Sequence, residues 1–199
     1  IVIYVDMTLP DVLLLYPQDG AIINSSDITI SWEMSDALSG LSRCILTVDE
    51  YKYTLGLDTE YSITGLSEGS HSVTVEVFDK AGNVNRDTVT FTIDLTPPSL
   101  VILYPENNSV FNTSTITITW NASDNIGIDH IEYSVDGGSW NNVGLANNAT
   151  ITLSVGTHTI YVRAIDLAGN SKIVLVTIEI TTVTPTTGVL GKLLPIIAI

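Results

Sequence analysis

Ile28-Thr29-Ile30-Ser31-Trp32 and Ile116-Thr117-Ile118-Thr119-Trp120 are one five-residue phrase written twice, 88 positions apart. In both, every second side chain is apolar, and Met34 and Ala122 carry the alternation past Glu33 and Asn121. A period of two belongs to a strand buried on one face, whereas a helix would scatter these residues around its surface. The intervening positions are mostly threonine and serine, which suit a pleated surface that is half wet. Outward from the phrase, Val5-Asp6-Met7-Thr8-Leu9-Pro10 matches Ile93-Asp94-Leu95-Thr96-Pro97-Pro98, Tyr16-Pro17 matches Tyr104-Pro105, and Ser35-Asp36 matches Ser123-Asp124 at the same offset. One residue is lost in the next loop, after which Val48-Asp49 meets Val135-Asp136 and Gly69-Ser70-His71 meets Gly156-Thr157-His158. Asp79-Lys80-Ala81-Gly82-Asn83 then meets Asp166-Leu167-Ala168-Gly169-Asn170. Repetition on that scale means two copies of one module.

Val73, Val75 and Val77 repeat the alternation, as do Val89, Phe91 and Ile93. Turn residues punctuate these runs at Gln18-Asp19-Gly20, Asp136-Gly137-Gly138 and Ala168-Gly169-Asn170. About seven short strands in each copy predict a β-sandwich. The fold class is therefore all-β: two tandem Ig-like antiparallel sandwiches, residues 7–94 and 95–180. An extra N-terminal strand (1–6) precedes them, and a Thr/Pro spacer (181–187) and an apolar tail (188–199) follow.

The chain resembles the Ig-like and fibronectin-III-like modules of bacterial and archaeal cell-surface proteins. The marks are Trp32, Ser35-Asp36, Leu66 to His71 and Val75 to Asn83, repeated at Trp120, Ser123-Asp124, Leu153 to His158 and Ala164 to Asn170. The resemblance covers residues 9 to 180. It implies an extracellular setting and service as stalk, spacer, adhesin or enzyme accessory, without choosing among them. His71 and His158 stand where related sandwiches often carry the Tyr of the tyrosine corner. A ring bonded back to the preceding loop would do the same job.

Seven Lys and Arg against twenty-two Asp and Glu in 199 residues give a formal charge of −15. Such a surface cannot neutralise a phosphate backbone, so nucleic acid is excluded as a partner. It would instead attract divalent cations. A lone cysteine, Cys44, excludes an intrachain disulfide framework. It falls on an inward position with Leu46 and Val48, which predicts a buried, inert thiol.

The ends do not fit a closed two-module molecule. Ile1-Val2-Ile3-Tyr4-Val5 matches the last strand of each copy, yet precedes the first. Either it ends an upstream repeat in a processed or excerpted chain, or Ile1, Ile3 and Val5 pair with the sheet edge of a neighbouring molecule. Thr181 to Thr187 is a Thr/Pro spacer, and Gly188 to Ile199 is apolar apart from Lys192. Twelve residues are too few to cross a bilayer. The tail reads as the start of a membrane anchor, as a strand buried in a neighbour through Leu193, Leu194, Ile196 and Ile197, or as an interfacial segment.

Topology supplies the main site expectation. In an Ig-like sandwich the B–C and F–G loops lie at the pole where the chain enters. That gathers Asp6, Asp36 and Asp79 in the first copy, and Asp94, Asp124 and Asp166 in the second. Ca²⁺ takes six to eight oxygens, so three converging carboxylates with loop carbonyls would hold one at each module junction. The same aspartates equally serve as caps of tight turns, and both readings stand. Asn24, Asn107, Asn112, Asn121 and Asn148 each begin an N-x-S/T sequon.

Catalytic patterns are poor. Gly65-Leu66-Ser67-Glu68-Gly69 fits G-x-S-x-G but falls at a turn between strands rather than at a strand–helix elbow. The histidines lack metal-ligand spacing, and His130 is expected on a loop or strand edge. Trp32 and Trp120 read as core anchors, and Trp140, in a loop, is the one aromatic open to ligand contact. The expectation is a non-enzymatic extracellular structural protein: a stalk, surface-layer or filament component that associates with itself or with other surface proteins. Subunits polymerising by strand donation, and accessory domains of a secreted hydrolase or adhesin, are the alternatives.

Overall fold

The computed structural model describes residues 5–182. The first copy contributes β1 (Asp11–Tyr16), β2 (Ala21–Ile23), β3 (Ile28–Ser35) and β4 (Leu41–Val48). It continues with β5 (Tyr51–Leu55), β6 (Glu60–Ile63), β7 (Gly69–Asp79) and β8 (Val84–Ile93). The second repeats the series as β9 (Ser99–Tyr104), β10 (Ser109–Phe111), β11 (Thr115–Ser123) and β12 (Ile128–Val135). It ends with β13 (Asn141–Gly144), β14 (Asn148–Thr152), β15 (Gly156–Asp166) and β16 (Ser171–Ile180). Among the described residues there is no helix. Each copy is a sandwich of a three-stranded sheet, β1-β3-β6 or β9-β11-β14, on a five-stranded one, β2-β8-β7-β4-β5 or β10-β16-β15-β12-β13.

The alternation does what its period requires. Ile28, Ile30 and Trp32 of β3 point into the sandwich against Leu46, Val75, Val77 and Phe91 of the facing sheet. Ile116, Ile118 and Trp120 do the same against Ile160, Val162 and Ile178. The two cores share no residue. Trp32 and Trp120 are 1% and 2% exposed. Cys44 is wholly buried, which pushes its thiol pKa up and keeps it unreactive.

Eight strands per copy exceed the expected seven, and one pair in each sandwich is parallel. The cause is a proline at the end of β1. Pro17, reached through a cis peptide bond, has no N–H to continue the ladder with β3. The chain crosses to the other sheet, where β2 runs parallel to β8 with Ala21 opposite Phe91 and Ile23 opposite Ile93. Asp19 Oδ1 accepts the Thr90 N–H at 2.8 Å and fixes the crossing. In the second copy β10 lies parallel to β16, and Asn107 Oδ1 takes the Thr177 N–H at 2.8 Å.

Two expectations about placement change. Val5 and Asp6 belong to no strand, because Val5 has no sheet partner of the kind Ile93 finds in Gly69 and Ile23. Residues 1–4 and 183–199, with Ile1, Ile3, Leu193, Leu194, Ile196 and Ile197, lie outside the described residues. His130 sits within β12 rather than on a loop, beside a bulge in its pairing with β15, between the Asp129 and Glu132 carboxylates.

Separate cores predict separate melting. Trp120→Ala should destabilise the second module by about 3–5 kcal/mol, the usual cost of emptying a buried aromatic site. Calorimetry should show one transition moving down while that of the first module stays in place.

A candidate metal centre at the module joint

Asp94 follows directly on β8, and its N–H donates to the Ile23 carbonyl at 2.9 Å, so it closes the first module. Asp124 lies in the loop between β11 and β12, and Asp166 ends β15, both in the second. The structure brings all three together: one carboxylate oxygen from each lies within 4.8 Å of the other two. Asp94 is 0% and Asp166 1% exposed.

Their two oxygens have different surroundings. Each Oδ1 caps a turn: Asp94 accepts the Thr96 N–H (3.2 Å), Asp124 those of Ile126 (2.9 Å) and Gly127 (3.0 Å), Asp166 those of Ala168 (2.9 Å) and Asn170 (2.8 Å). Each Oδ2 is buried with no hydrogen-bond partner. The turn-capping reading is therefore satisfied by one set of oxygens, and it leaves a second set over. Buried polar atoms are normally paired, so three orphaned acceptors of one sign in one place require a donor or a cation. Burial raises the pKa of Asp94, with the charges of Asp124, Asp166 and Glu68 adding to the effect.

The first copy arranges the same residue types differently. Asp6, Asp36 and Asp79 also bring oxygens within 4.8 Å of one another. There Asn83 donates to Asp79 through both its backbone N–H (2.7 Å) and its Nδ2 (2.6 Å). Asp6 accepts Thr8 N–H on Oδ1 and Ser39 N–H on Oδ2, both at 2.9 Å. Only Asp36 Oδ2 is left over in this cluster. Hydrogen bonds from Ser39 and Thr8 lower the Asp6 pKa. For Asp79, burial works upward, but the bonds from Asn83 outweigh it and the pKa falls. In both copies the amide reaches the linker carbonyl, Asn83 Nδ2 that of Asp6 at 3.3 Å and Asn170 Nδ2 that of Asp94 at 2.9 Å, but Asn170 makes no bond to Asp166 Oδ2 and leaves it bare.

At the far end of each five-stranded sheet the histidines do bond back to the preceding loop. His71 Nε2 lies 2.8 Å from the Ser67 carbonyl and its Nδ1 2.8 Å from Asp49 Oδ2. His158 repeats this with Ser154 (3.0 Å) and Asp136 (2.7 Å). Both nitrogens of the His71 ring face only acceptors, an arrangement satisfied by the doubly protonated imidazolium, whereas His158 Nε2 also has the Ser154 hydroxyl at 3.4 Å, which can donate to a neutral ring. Asp49 and Asp136, both at φ 53°, were not singled out from sequence, although each stands 22 residues before its histidine in the repeat.

The remaining expectations find their places. Gly65 to Glu68 form the turn before β7 and build no nucleophile elbow. Trp140 lies in its loop under the Arg163 guanidinium, 4.3 Å from the ring centroid, while Arg163 also pairs with Glu132. Asn24, Asn107, Asn112, Asn121 and Asn148 are all exposed.

Two sandwiches in series, each with its second strand parallel to its last and with a histidine corner, define a tandem Ig-like module protein. A family model described as "Bacterial Ig domain" matches residues 10–75 and 98–162, and the chain belongs to that family. The chain is 29% identical over 180 residues to Exoglucanase B of Cellulomonas fimi, covering 83% of itself and 16% of that protein. Over 99 residues it is 29% identical to Halomucin of Haloquadratum walsbyi, covering 47% of itself and 1% of that protein. It thus spans a small part of either relative. The fibronectin(III)-like modules of Clostridium thermocellum CbhA share its fold, at a TM-score of 0.60 and 21% identity over 86% of this chain and 95% of that one.

The histidine corners set a pH dependence. Burial of the His71 ring opposes its charge, but the bonds to Asp49 and Ser67 outweigh it and raise the pKa above the ordinary 6.5. The Asp136 carboxylate raises that of His158 likewise. A raised folded pKa gives stability that is full below the unfolded value and fades as pH climbs through the folded one. The melting temperature should therefore fall as pH rises from the ordinary imidazole range through the higher folded values, and the His71→Gln, His158→Gln double variant should flatten that slope.

Proposed function

We propose that this chain is a non-catalytic, extracellular spacer at a cell surface, two Ig-like modules whose joint is stiffened by a bound divalent cation, calcium by preference. The observation that carries the reading is the set of three buried, unpartnered carboxylate oxygens at Asp94, Asp124 and Asp166. Two oxygens bound to one calcium at about 2.4 Å lie no more than about 4.8 Å apart, and one carboxylate oxygen of each aspartate falls within that distance of the other two. An all-oxygen carboxylate set suits a hard cation, and the −15 charge draws cations to the surface. The Asp6, Asp36, Asp79 cluster, largely satisfied by Asn83, Ser39 and Thr8, would hold an ion more weakly. Stalk, surface layer and filament remain three uses of one mechanical part. Filament growth by strand donation would work through residues 1–6 or the apolar tail 188–199, and membrane anchorage through the same tail; residues 1–4 and the whole tail lie outside the described region.

Service beside a secreted hydrolase is the second reading, favoured by the match of most of the chain to a segment of Exoglucanase B. The cation-stiffened joint is common to both readings. Sugar chains on some sequon asparagines fit the same setting. Asn24 is the least suited, because its Nδ2 already approaches the second module beside Gly169.

Calcium at a hundredfold excess over its Kd should stabilise the wild-type chain by about 2.7 kcal/mol, and chelator should remove the gain. Asp94→Asn should reverse the order. In chelator it should be at least as stable as wild type, having lost a buried like charge, and in calcium it should gain little. Equal melting temperatures with and without calcium, read by calorimetry, would dispose of the cation. Mass spectrometry of the native chain should find glycans at one or more of Asn107, Asn112, Asn121 and Asn148, with Asn24 bare.

A further inference from the structure

The joint contains one more carboxylate, from the opposite side. Glu68 lies in the loop between β6 and β7 of the first module. Its Oε1 accepts the Thr96 hydroxyl of the linker at 2.8 Å and Asn125 Nδ2 of the second module at 3.1 Å. Its Oε2 lies 2.9 Å from the same Thr96 hydroxyl. Asn125 adjoins Asp124, so one side chain of the first module grips the linker and the very loop that carries a cluster aspartate.

The repeat supplies an internal control. The position equivalent to Glu68 in the second copy is Val155, exposed in its loop, and the position equivalent to Asp94 is Thr181. The copy that exits through an aspartate carries the glutamate, and the copy that exits through a threonine lacks it. Neither the sandwich core nor the histidine corner needs an acid here, since Leu153, Ser154 and His158 make the same corner beside Val155. A fourth carboxylate set against three others is a repulsive arrangement in the absence of a cation. With a doubly charged ion among the three, the net field at Glu68 is weakened and its hydrogen bonds across the joint strengthen relative to solvent.

We propose that Glu68 is the latch by which a divalent cation at Asp94, Asp124 and Asp166 fixes the orientation of the second module on the first. This rests on the cation reading above and adds to it a residue outside the ion's own cage. Glu68 acts as a positioning residue: it holds Asn125 and Thr96, while the ion is held by the three aspartates.

The test uses the full chain and calcium chloride, with calorimetric titration for binding and NMR residual dipolar couplings for module orientation. Wild type should bind calcium, and its two modules should share one alignment tensor in calcium and diverge in chelator. Glu68→Val, the residue the second copy itself carries, should bind calcium with affinity reduced by less than about tenfold, yet its modules should stay unaligned in calcium. Alignment of the variant equal to wild type would overturn the latch and leave the cation reading standing. Loss of all binding at the joint in the variant would make Glu68 a ligand and also overturn the latch. Absence of calcium binding by wild type would remove the cation reading and the latch together.

Discussion

The pole of the second sandwich is organised by aspartates that each use one oxygen for the backbone. Asp94, Asp124 and Asp166 cap their own turns through Oδ1, and those caps fix where the linker and two loops run. Everything notable about the joint follows from this constraint. Once three caps are packed around a common point, the carboxylates are brought together with their second oxygens buried and without donors. The cost of confining three like charges is met by local hydrogen bonding to Oδ1 and by nothing in the chain for Oδ2. Such a cluster is poorly balanced as a piece of pure turn structure, and well suited to a hard cation.

The comparison between copies sharpens the point, because it varies the surroundings while holding the fold. In the first module Asn83 spends its amide on Asp79, and Ser39 spends its N–H on Asp6, so that cluster is nearly closed by hydrogen bonds. In the second, Asn170 Nδ2 bonds only to the linker carbonyl of Asp94, the counterpart of the Asp6 carbonyl that Asn83 reaches as well. Two bonds to Oδ2 atoms, from Asn83 to Asp79 and from Ser39 to Asp6, present in the first copy and missing from the second, separate a nearly satisfied acidic turn from an open one. The two clusters share residue types and loop positions, and they differ in electrostatic character.

Much of this was legible in the residues. Period two at Ile28 to Met34 and its echo at Ile116 to Ala122 state the strands and their inward faces, because burial on a pleated sheet leaves a pattern that neither turn nor loop can mimic. The convergence of the six aspartates followed from sandwich topology alone. What stayed hidden depended on side-chain direction. Whether an aspartate caps, binds or does both is decided by the path of each oxygen, which composition does not encode. The partners of the histidines, Asp49 and Asp136, carried a faint signal in their constant spacing. Glu68 had no counterpart in the other copy, and so no repeat pointed to it. The short parallel strands were missed because three residues, Ala21 to Ile23, are too few to display a period.

That short strand has a mechanical meaning. The chain enters the modules through β1 and β2 or β9 and β10 and leaves through β8 or β16, and β2 lies alongside β8, as β10 does alongside β16, with both running the same way. Tension along the chain would drag these neighbours in opposite directions, so their cross-links would resist as a group in shear instead of opening singly like a zip. The Gly20–Thr90 and Asp94–Ile23 hydrogen bonds bracket the same clasp. The second of them ends at the acidic joint, where pulling force would pass from one sandwich to the next.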